Sequence, residues 1–574
     1  MDILQFLPYY HHIKLGGHMA TALAGAFAGG AGMLAAVSFR SYGNFFAPFG
    51  FSLFASSVLW IAPAAATLES GFNAFLLADY KVFFPRSLAN GGFGVDCVFA
   101  FSGGCISGSI LFIKMKFDTL KFISDLVKFE SVSADSSRAC EVRKCAEFLK
   151  DAFSGFGFEA SLFETPGHPI LIAKRDCKSG SPRVRVLCYG HYDVQPVDPV
   201  GKWKTPPFEP VVCGGKVWGR GTADNKGPTS CVIGGLVNFL EENPDAPIDV
   251  AFMLEGEEEI GSPSMSDFIK EHSDFISGYD FVMLSDTSSA SLDQLVVTIG
   301  LRGTGSFDAV FKGANTDVHS GMFGGAIYNP IQAMTEVCGS LHSPDGLVNI
   351  DGFYDGLAKL SDWERAEIRK SPFNETEIKR HLGIKELYSQ PGHTPSEALR
   401  VLPTVEFVGI GGGYQGEDSK SVIPSECFCK ISCRTVPPQS TKDVVEKVKS
   451  AMRARTPSQI KVEFIDYDSC GDPYFVDPKA TPSDAKSAAL SKAFAKMEEC
   501  VEAVFGNKPI YLREGASIPL MSQIKKITGL DCLMLGLFTP QDNLHAPNEG
   551  FSLEMIERAV KYYGMFFEKL VLPQ

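Results

Sequence analysis

The chain carries 15 cysteines in 574 residues, yet no two of them stand at the CxxC spacing and none follow a paired pattern. Reduced thiols in a cytosolic protein are therefore expected, not a disulfide framework. Cys427, Cys429 and Cys433 come closest to a cluster, and the residues around them alternate as in a strand. Basic charge is also short. Lys and Arg number 53 against 67 Asp and Glu, a net charge of −14, which argues against a nucleic-acid partner, since that would need a basic face to displace counterions from phosphates. No Gly-x-Ser-x-Gly elbow accompanies a plausible triad, which argues against a serine hydrolase. No single short apolar core is followed by a small-residue cleavage site, so the N-terminus does not read as a signal peptide. What remains is the composition of a folded globular protein, 45% hydrophobic and 21% charged. Its length suggests about three or four domains.

Charge is scarce before residue 115. Leu15 to Phe39, Ser41 to Leu68 and Arg86 to Ile113 are Gly-, Ala- and Phe-rich and each long enough to cross a bilayer. Gly and Pro interrupt them and leucine is sparse. Residues 1–114 therefore read either as a membrane-associated region or as a segment not natively part of the enzyme, and any membrane contact would run through them alone.

From Met115 onward the pattern is that of a soluble enzyme. Leu120, Ile123 and Val127 recur at helical spacing, and Cys145, Phe148 and Leu149 continue a second amphipathic segment after Ser136 and Ser137. Four short apolar runs follow, each ending in metal-capable residues. Val184 to Tyr189 precedes His191 and Asp193; Ile248 to Leu254 precedes Glu255-Gly256-Glu257-Glu258-Glu259; Phe281 to Leu284 precedes Asp286; Cys532 to Leu537 precedes His545. Runs of this length alternating with helical segments read as buried strands of a largely parallel sheet. In such sheets ligands bind beyond the carboxyl ends of the strands, so the pattern brings these residues to one edge. A lone His or a Glu run is ordinarily a surface feature; four strand ends with metal-capable groups are hard to explain as packing.

Imidazole nitrogens mixed with carboxylate oxygens suit zinc, and manganese or cobalt where carboxylates predominate. Five ligands exceed the need of one catalytic ion with an open position and suit two divalent ions sharing a carboxylate, an arrangement that activates water.

His191-Tyr192-Asp193, Gly219 to Gly227 (GRGTADNKG), Glu255 to Glu259, Asp317-Val318-His319-Ser320-Gly321 and His545 together resemble the M20 metallopeptidases, especially the carnosinase-like cytosolic dipeptidases. The resemblance runs from about residue 115 to the end and does not reach residues 1–114. It implies Asp224 as the bridging ligand, His191 and Asp286 on one ion, Glu259 and His545 on the other, and Glu258 as general base to a water bridged between the two. Asp193, two residues after a ligand histidine, could accept its other ring N–H. Asn225 stands where the family more often has Asp, leaving a neutral partner beside the bridge. His319 is implied to reach the neighbouring subunit's site and stabilise the oxyanion, and Arg434 to hold a substrate carboxylate. Ser421 and Ser517 match further substrate contacts.

Between Val297 and Tyr474 the pattern changes. Ser306 to Phe311 and Cys427 to Cys433 alternate as strands; Ile331, Met334, Val337 and Cys338 fit one helix and Val444, Val445 and Val448 another. The expected fold is α/β: a largely parallel-sheet di-metal catalytic domain over 115–296 and 475–574, interrupted by a smaller α+β lid over 297–474. The resemblance implies that this lid also makes a homodimer contact. The expected activity is cytoplasmic, metal-dependent hydrolysis of dipeptides or short peptides. An N-acyl-amino-acid amidohydrolase of the same fold is the nearest rival, because both reactions break an amide. A membrane-bound binding or transport component is a second, resting only on residues 1–114.

Overall fold

The computed structural model describes residues 34–39, 95–100, 117–467 and 470–572. The chain divides into two units, Met1–Lys116 and Phe117–Gln574. In the first, Leu34–Phe39 pairs antiparallel with Val95–Ala100. The three long apolar stretches otherwise lie outside the described residues, among which no helix is long and apolar enough to cross a membrane.

The second unit is built on a nine-stranded sheet. Its strands are β1 (Glu159–Phe163), β2 (Ile170–Arg175), β3 (Val184–His191), β4 (Ile248–Glu255), β5 (Phe281–Leu284) and β6 (Val296–Leu301), with β11 (Tyr474–Phe475), β12 (Ile510–Glu514) and β13 (Cys532–Leu535). The order is β11-β6-β13-β5-β3-β4-β2-β1, with β12 on the other side of β6. At its centre β4, β3, β5 and β13 are adjacent and all parallel. Antiparallel pairings of β2 with β4, β1 with β2, and β6 with β13 flank this block. The parallel centre is the part the four apolar runs describe. Its strands are buried along nearly their whole length, as strands covered on both faces must be.

Three helices form a covering layer, Lys226–Glu242 against the C-terminal Leu553–Val571 and that helix against Ala485–Phe505. Gly235 permits the first contact: a Cβ there would sit 2.4 Å from the Tyr563 Cβ and 2.8 Å from the Gly564 nitrogen. The two helices expected from Leu120 and Cys145 are Thr119–Val127 and Ala139–Gly155. A single 3-10 turn, Ser136–Arg138, capped by Asp135, leads into the second.

A separate four-stranded sheet holds β7 (Gly303–Lys312), β8 (Thr404–Gly412), β9 (Glu426–Thr435) and β10 (Lys461–Asp466), in the order β8-β9-β7-β10. β7 and β9 alternate buried and half-buried residues along their length, so one face is apolar and the other is not. Helices Pro330–Ser340 and Thr441–Arg455 cover the apolar face, through Met334 and Val337 from one and Val444, Val445 and Val448 from the other. Their core is distinct from that of the large sheet. Helix Asp362–Lys370 departs from the sequence pattern. Although it lies between β7 and β8 in the chain, it packs on β12 of the large sheet. Glu364 accepts from Arg513 Nε at 2.8 Å, and Ile368 buries against Val296, Ile510 and Leu512.

Candidate metal centre

The four parallel strands deliver their trailing residues to one place. His191 is the last residue of β3, while Glu258 and Glu259 occupy a 3-10 turn three residues past β4. Asp286 lies two residues past β5, and His545 follows β13 in a turn where its own φ is +56°. Asp224 arrives from the loop before helix Lys226–Glu242. That loop is shaped by Gly221, at φ +85°, and by Gly227, where a Cβ would lie 2.0 Å from the Thr222 carbonyl oxygen.

Two candidate ligand sets result, His191 with Asp224 and Asp286, and Asp224 with Glu259 and His545. Asp224 belongs to both: its Oδ1 is 3.2 Å from His191 Nε2 and its Oδ2 is 2.9 Å from His545 Nε2. Asp286 Oδ2 lies 3.5 Å from His191 Nε2, and Glu259 Oε2 lies 3.3 Å from His545 Nε2. One carboxylate facing two histidines on opposite oxygens, each with a second carboxylate beside it, is a donor set that fits two divalent ions.

Electrostatics point the same way. Burial pushes Glu258 well above the ordinary carboxylate range, and Asp286, Glu259 and Asp224 add to the shift against the pull of His191. Burial and the charge of Asp224 likewise raise Glu259. Burial would depress His191, but Asp286 and the hydrogen bonds with Asp193, Asp224 and Asp286 hold it well above the usual imidazole range. His545 is pushed up to about 10, first by its hydrogen bonds to Asp224 and Glu259. Crowded carboxylates of this kind are stabilised by positive charge, from protons on the two histidines or from cations that displace them.

The surrounding residues hold these side chains in place. His191 Nδ1 lies 3.2 Å from both the main-chain carbonyl and Oδ1 of Asp193, and the hydrogen-bond geometry favours the carbonyl. Asp193 Oδ2 accepts from the Glu259 backbone N–H at 3.1 Å, so this buried residue touches both ligand sets. Asn225 donates from Nδ2 to Asp286 Oδ1 at 2.7 Å and to the Ser285 carbonyl at 3.1 Å. An aspartate there would have no proton to give. Gln195 Nε2 donates to Glu259 Oε2 at 2.8 Å.

The glutamate run divides by role. Glu255 accepts from Tyr189 Oη at 2.6 Å and Ser262 Oγ at 2.8 Å, and burial pushes it to about 8. Glu257 accepts from the His168 and Ser264 backbone N–H groups. Both anchor the turn that presents Glu258 and Glu259.

The other sequence candidates form two pairs, with no hydrogen bond to this cluster among the described residues. Arg434, on β9, donates from Nη1 to Ser517 Oγ at 2.8 Å. Arg302, which sequence reasoning passed over, stands beside it: burial, then the charge of Arg434, lower its pKa, and its Nε donates to the Gly515 carbonyl. His319 and Ser421 lie on a short ribbon, Val318–His319 against Val422–Ile423, with Ser320 N donating to the Ser421 carbonyl at 3.1 Å. Both are exposed. The Nδ1 of His319 accepts from Gly321 N–H, and no contact joins His319 to the ligand sets among the described residues of one chain.

Glu549 was also missed. Fully buried with Arg220, it accepts from Arg220 Nη1 at 2.8 Å. The partners are 329 residues apart, and neither a lone Glu four residues after a histidine nor an Arg between glycines carries a spacing that would reveal them.

Comparison with known proteins gives a consistent picture. The sequence profile of peptidase family M20/M25/M40 matches residues 187–569. The Cys-Gly metallodipeptidase DUG1 of Saccharomyces cerevisiae is 28% identical over 490 residues, covering 81% of this chain and 98% of that protein. The human Beta-Ala-His dipeptidase is 27% identical over 460 residues, covering 78% of this chain and 85% of its own length. Among solved structures, the M20 family metallo-carboxypeptidase Sso-CP2 from Sulfolobus solfataricus superposes with a TM-score of 0.68 at 26% identity, covering 79% of this chain and 99% of that one.

Proposed function

Because this chain belongs to peptidase family M20/M25/M40, we propose that it hydrolyses dipeptides and other short peptides at a two-ion centre, with Glu258 as general base. The observation that carries the reading is the pair of ligand sets joined through Asp224, with Glu258 on the same turn as Glu259. Two divalent ions bound there, zinc by its taste for mixed nitrogen and oxygen donors or alternatively manganese or cobalt, would supply an acidified water and polarise the amide carbonyl.

The chain's own residues do the rest. Glu258 accepts a proton from the water as the new C–O bond forms, and then delivers it to the amine nitrogen as the C–N bond breaks. Asp193 holds the proton on His191 Nδ1 and leaves Nε2 as the donor atom. Arg434, set by Ser517, takes the substrate carboxylate through its planar fork. The free thiols of the described cysteines suit a reducing, cytosolic setting.

The test is hydrolysis of a dipeptide panel by the full chain, stripped with a chelator and resupplied with Zn²⁺, Mn²⁺ or Co²⁺ in turn. Activity should return with metal and fall on dipeptides. Turnover confined to N-acyl amino acids, or none with any metal, would overturn the reading.

We further propose a homodimer in which the small-sheet layer, β7 to β10 with the two helices on its apolar face, serves as lid and His319 completes the partner's site, with Ser421 beside it. Support comes from exposure. His319 is followed by Met322 and Phe323, 74% and 42% exposed, and edge strand β8 presents Val408 and Ile410 at 63% and 68%. Donation by His319 to the developing oxyanion would be a large catalytic contribution. An inactive Glu258→Gln chain mixed with an inactive His319→Ala chain should then recover part of the activity. A mixed dimer has one site with both groups; neither pure variant has any. Mixed dimers verified by native mass spectrometry that stay inactive would exclude the shared site.

A further inference from the structure

Glu549 takes no part in the chemistry above, yet its carboxylate is fully buried and receives four hydrogen bonds from the stretch that carries Asp224. Oε2 accepts from Arg220 Nη1 at 2.8 Å and Gly221 N–H at 3.0 Å; Oε1 accepts from Ala223 N–H at 2.8 Å and Asp224 N–H at 3.0 Å. The main chain joins in, since Gly219 N–H donates to the Glu549 carbonyl at 3.0 Å. A short turn links Glu549 back to His545. Asn543, His545 and Asn548 all take positive φ there, and Asn543 Nδ2 closes the turn by donating to the Asn548 carbonyl at 3.0 Å. Asn548 is pinned in turn, accepting from Lys204 N–H and donating to the Lys202 carbonyl.

Asp224 and His545, 321 residues apart, thus meet at 2.9 Å on segments tied together by one carboxylate. We infer that Glu549 is a positioning residue of the metal centre: it sets the Asp224 main chain and the His545 turn relative to each other, and so determines how tightly the ion shared by Asp224, Glu259 and His545 is held. The inference rests on the two-ion reading. A glutamine cannot replace Glu549, because each oxygen now serves two donors and an amide would turn an N–H toward one of those pairs. Partners that orient ligands in this way typically change metal affinity by about 10- to 100-fold when altered.

The experiment is a Co²⁺ titration of the chelator-treated full chain, followed by visible absorption and by ions bound per chain, for the parent, Glu549→Gln and Glu549→Asp. The parent should bind two ions. In Glu549→Gln one of the two should loosen by about 10- to 100-fold while the other changes less. Glu549→Asp keeps the charge but withdraws it from the loop, so it should shift the same step by a smaller factor. A residue that only braced the fold would instead lower the melting temperature of the metal-free chain and leave the gap between the two affinities as in the parent. That result in Glu549→Gln overturns the inference, and if Glu549→Gln does not fold, the same result in Glu549→Asp does. A parent that binds fewer than two ions refutes the two-ion reading itself.

Discussion

Replacing Asp224 by alanine is expected to remove both ions and reduce peptide hydrolysis to background. The two ligand sets have only this residue in common, so each ion would be left with one histidine and one carboxylate: His191 and Asp286, or His545 and Glu259. Two ligands do not retain a catalytic ion against solvent, and the side chain proposed to bridge and partly neutralise the pair is gone. The loop itself should survive. Its backbone N–H groups at Gly221, Ala223 and Asp224 donate to Glu549 whatever side chain stands at 224. Loss of function therefore separates from loss of fold. Elemental analysis after gel filtration should find the parent with two ions per chain and the variant with almost none. A saturating metal should also stop raising the melting temperature; for the parent, ligand at 100 times its Kd contributes about 2.7 kcal/mol. Two ions still bound to Asp224→Ala would reject the bridge.

Glu258→Gln should do the opposite, keeping the ions and losing the chemistry. Glu258 is in neither ligand set, whereas its neighbour Glu259 is. Glutamine preserves its shape but cannot take a proton from the attacking water, and a positioned general base is worth about 10²- to 10⁴-fold in rate. The loss should appear in kcat, with KM little changed, because the substrate contacts assigned to Arg434 and Ser517 lie elsewhere. A variant within a few fold of the parent would remove Glu258 from the mechanism. One that lost its metal would make it a ligand instead.

Much of the candidate centre was legible in the sequence because a buried parallel strand writes itself as an apolar run, and each run is followed by metal-capable residues. β3, β4, β5 and β13 all did so, and they are the four strands at the middle of the sheet. The antiparallel flanks left no such mark: β1 has no buried residue along its length, and the apolar run of β2 ends in Lys174 and Arg175, not in a metal-capable residue. In the small sheet the two-residue alternation of β7 and β9 was readable, since each has one apolar and one half-buried face. Helix Asp362–Lys370 was not, because what seats it on β12 is a long-range ion pair, Glu364 with Arg513, 149 residues apart in the chain. Glu549 escaped for the same reason. A single buried charge has no period, and its meaning lies wholly in the partners that folding brings. Asp193 was half legible: its spacing from His191 pointed to the ring N–H, but the main-chain carbonyl shares that contact while the carboxylate also reaches across to Glu259.

The position of β13 bears on when the enzyme can exist at all. It fills the gap between β5 and β6, strands made some 230 residues earlier in the chain, by count from Val296 to Cys532. His545 follows it. A ribosome adding about 5–20 residues per second needs on the order of tens of seconds to go from His191 to His545. Until β13 is made, the place between β5 and β6 cannot be filled and the group of Asp224, Glu259 and His545 lacks a member. The proposed two-ion centre therefore cannot be complete before the ribosome has passed His545.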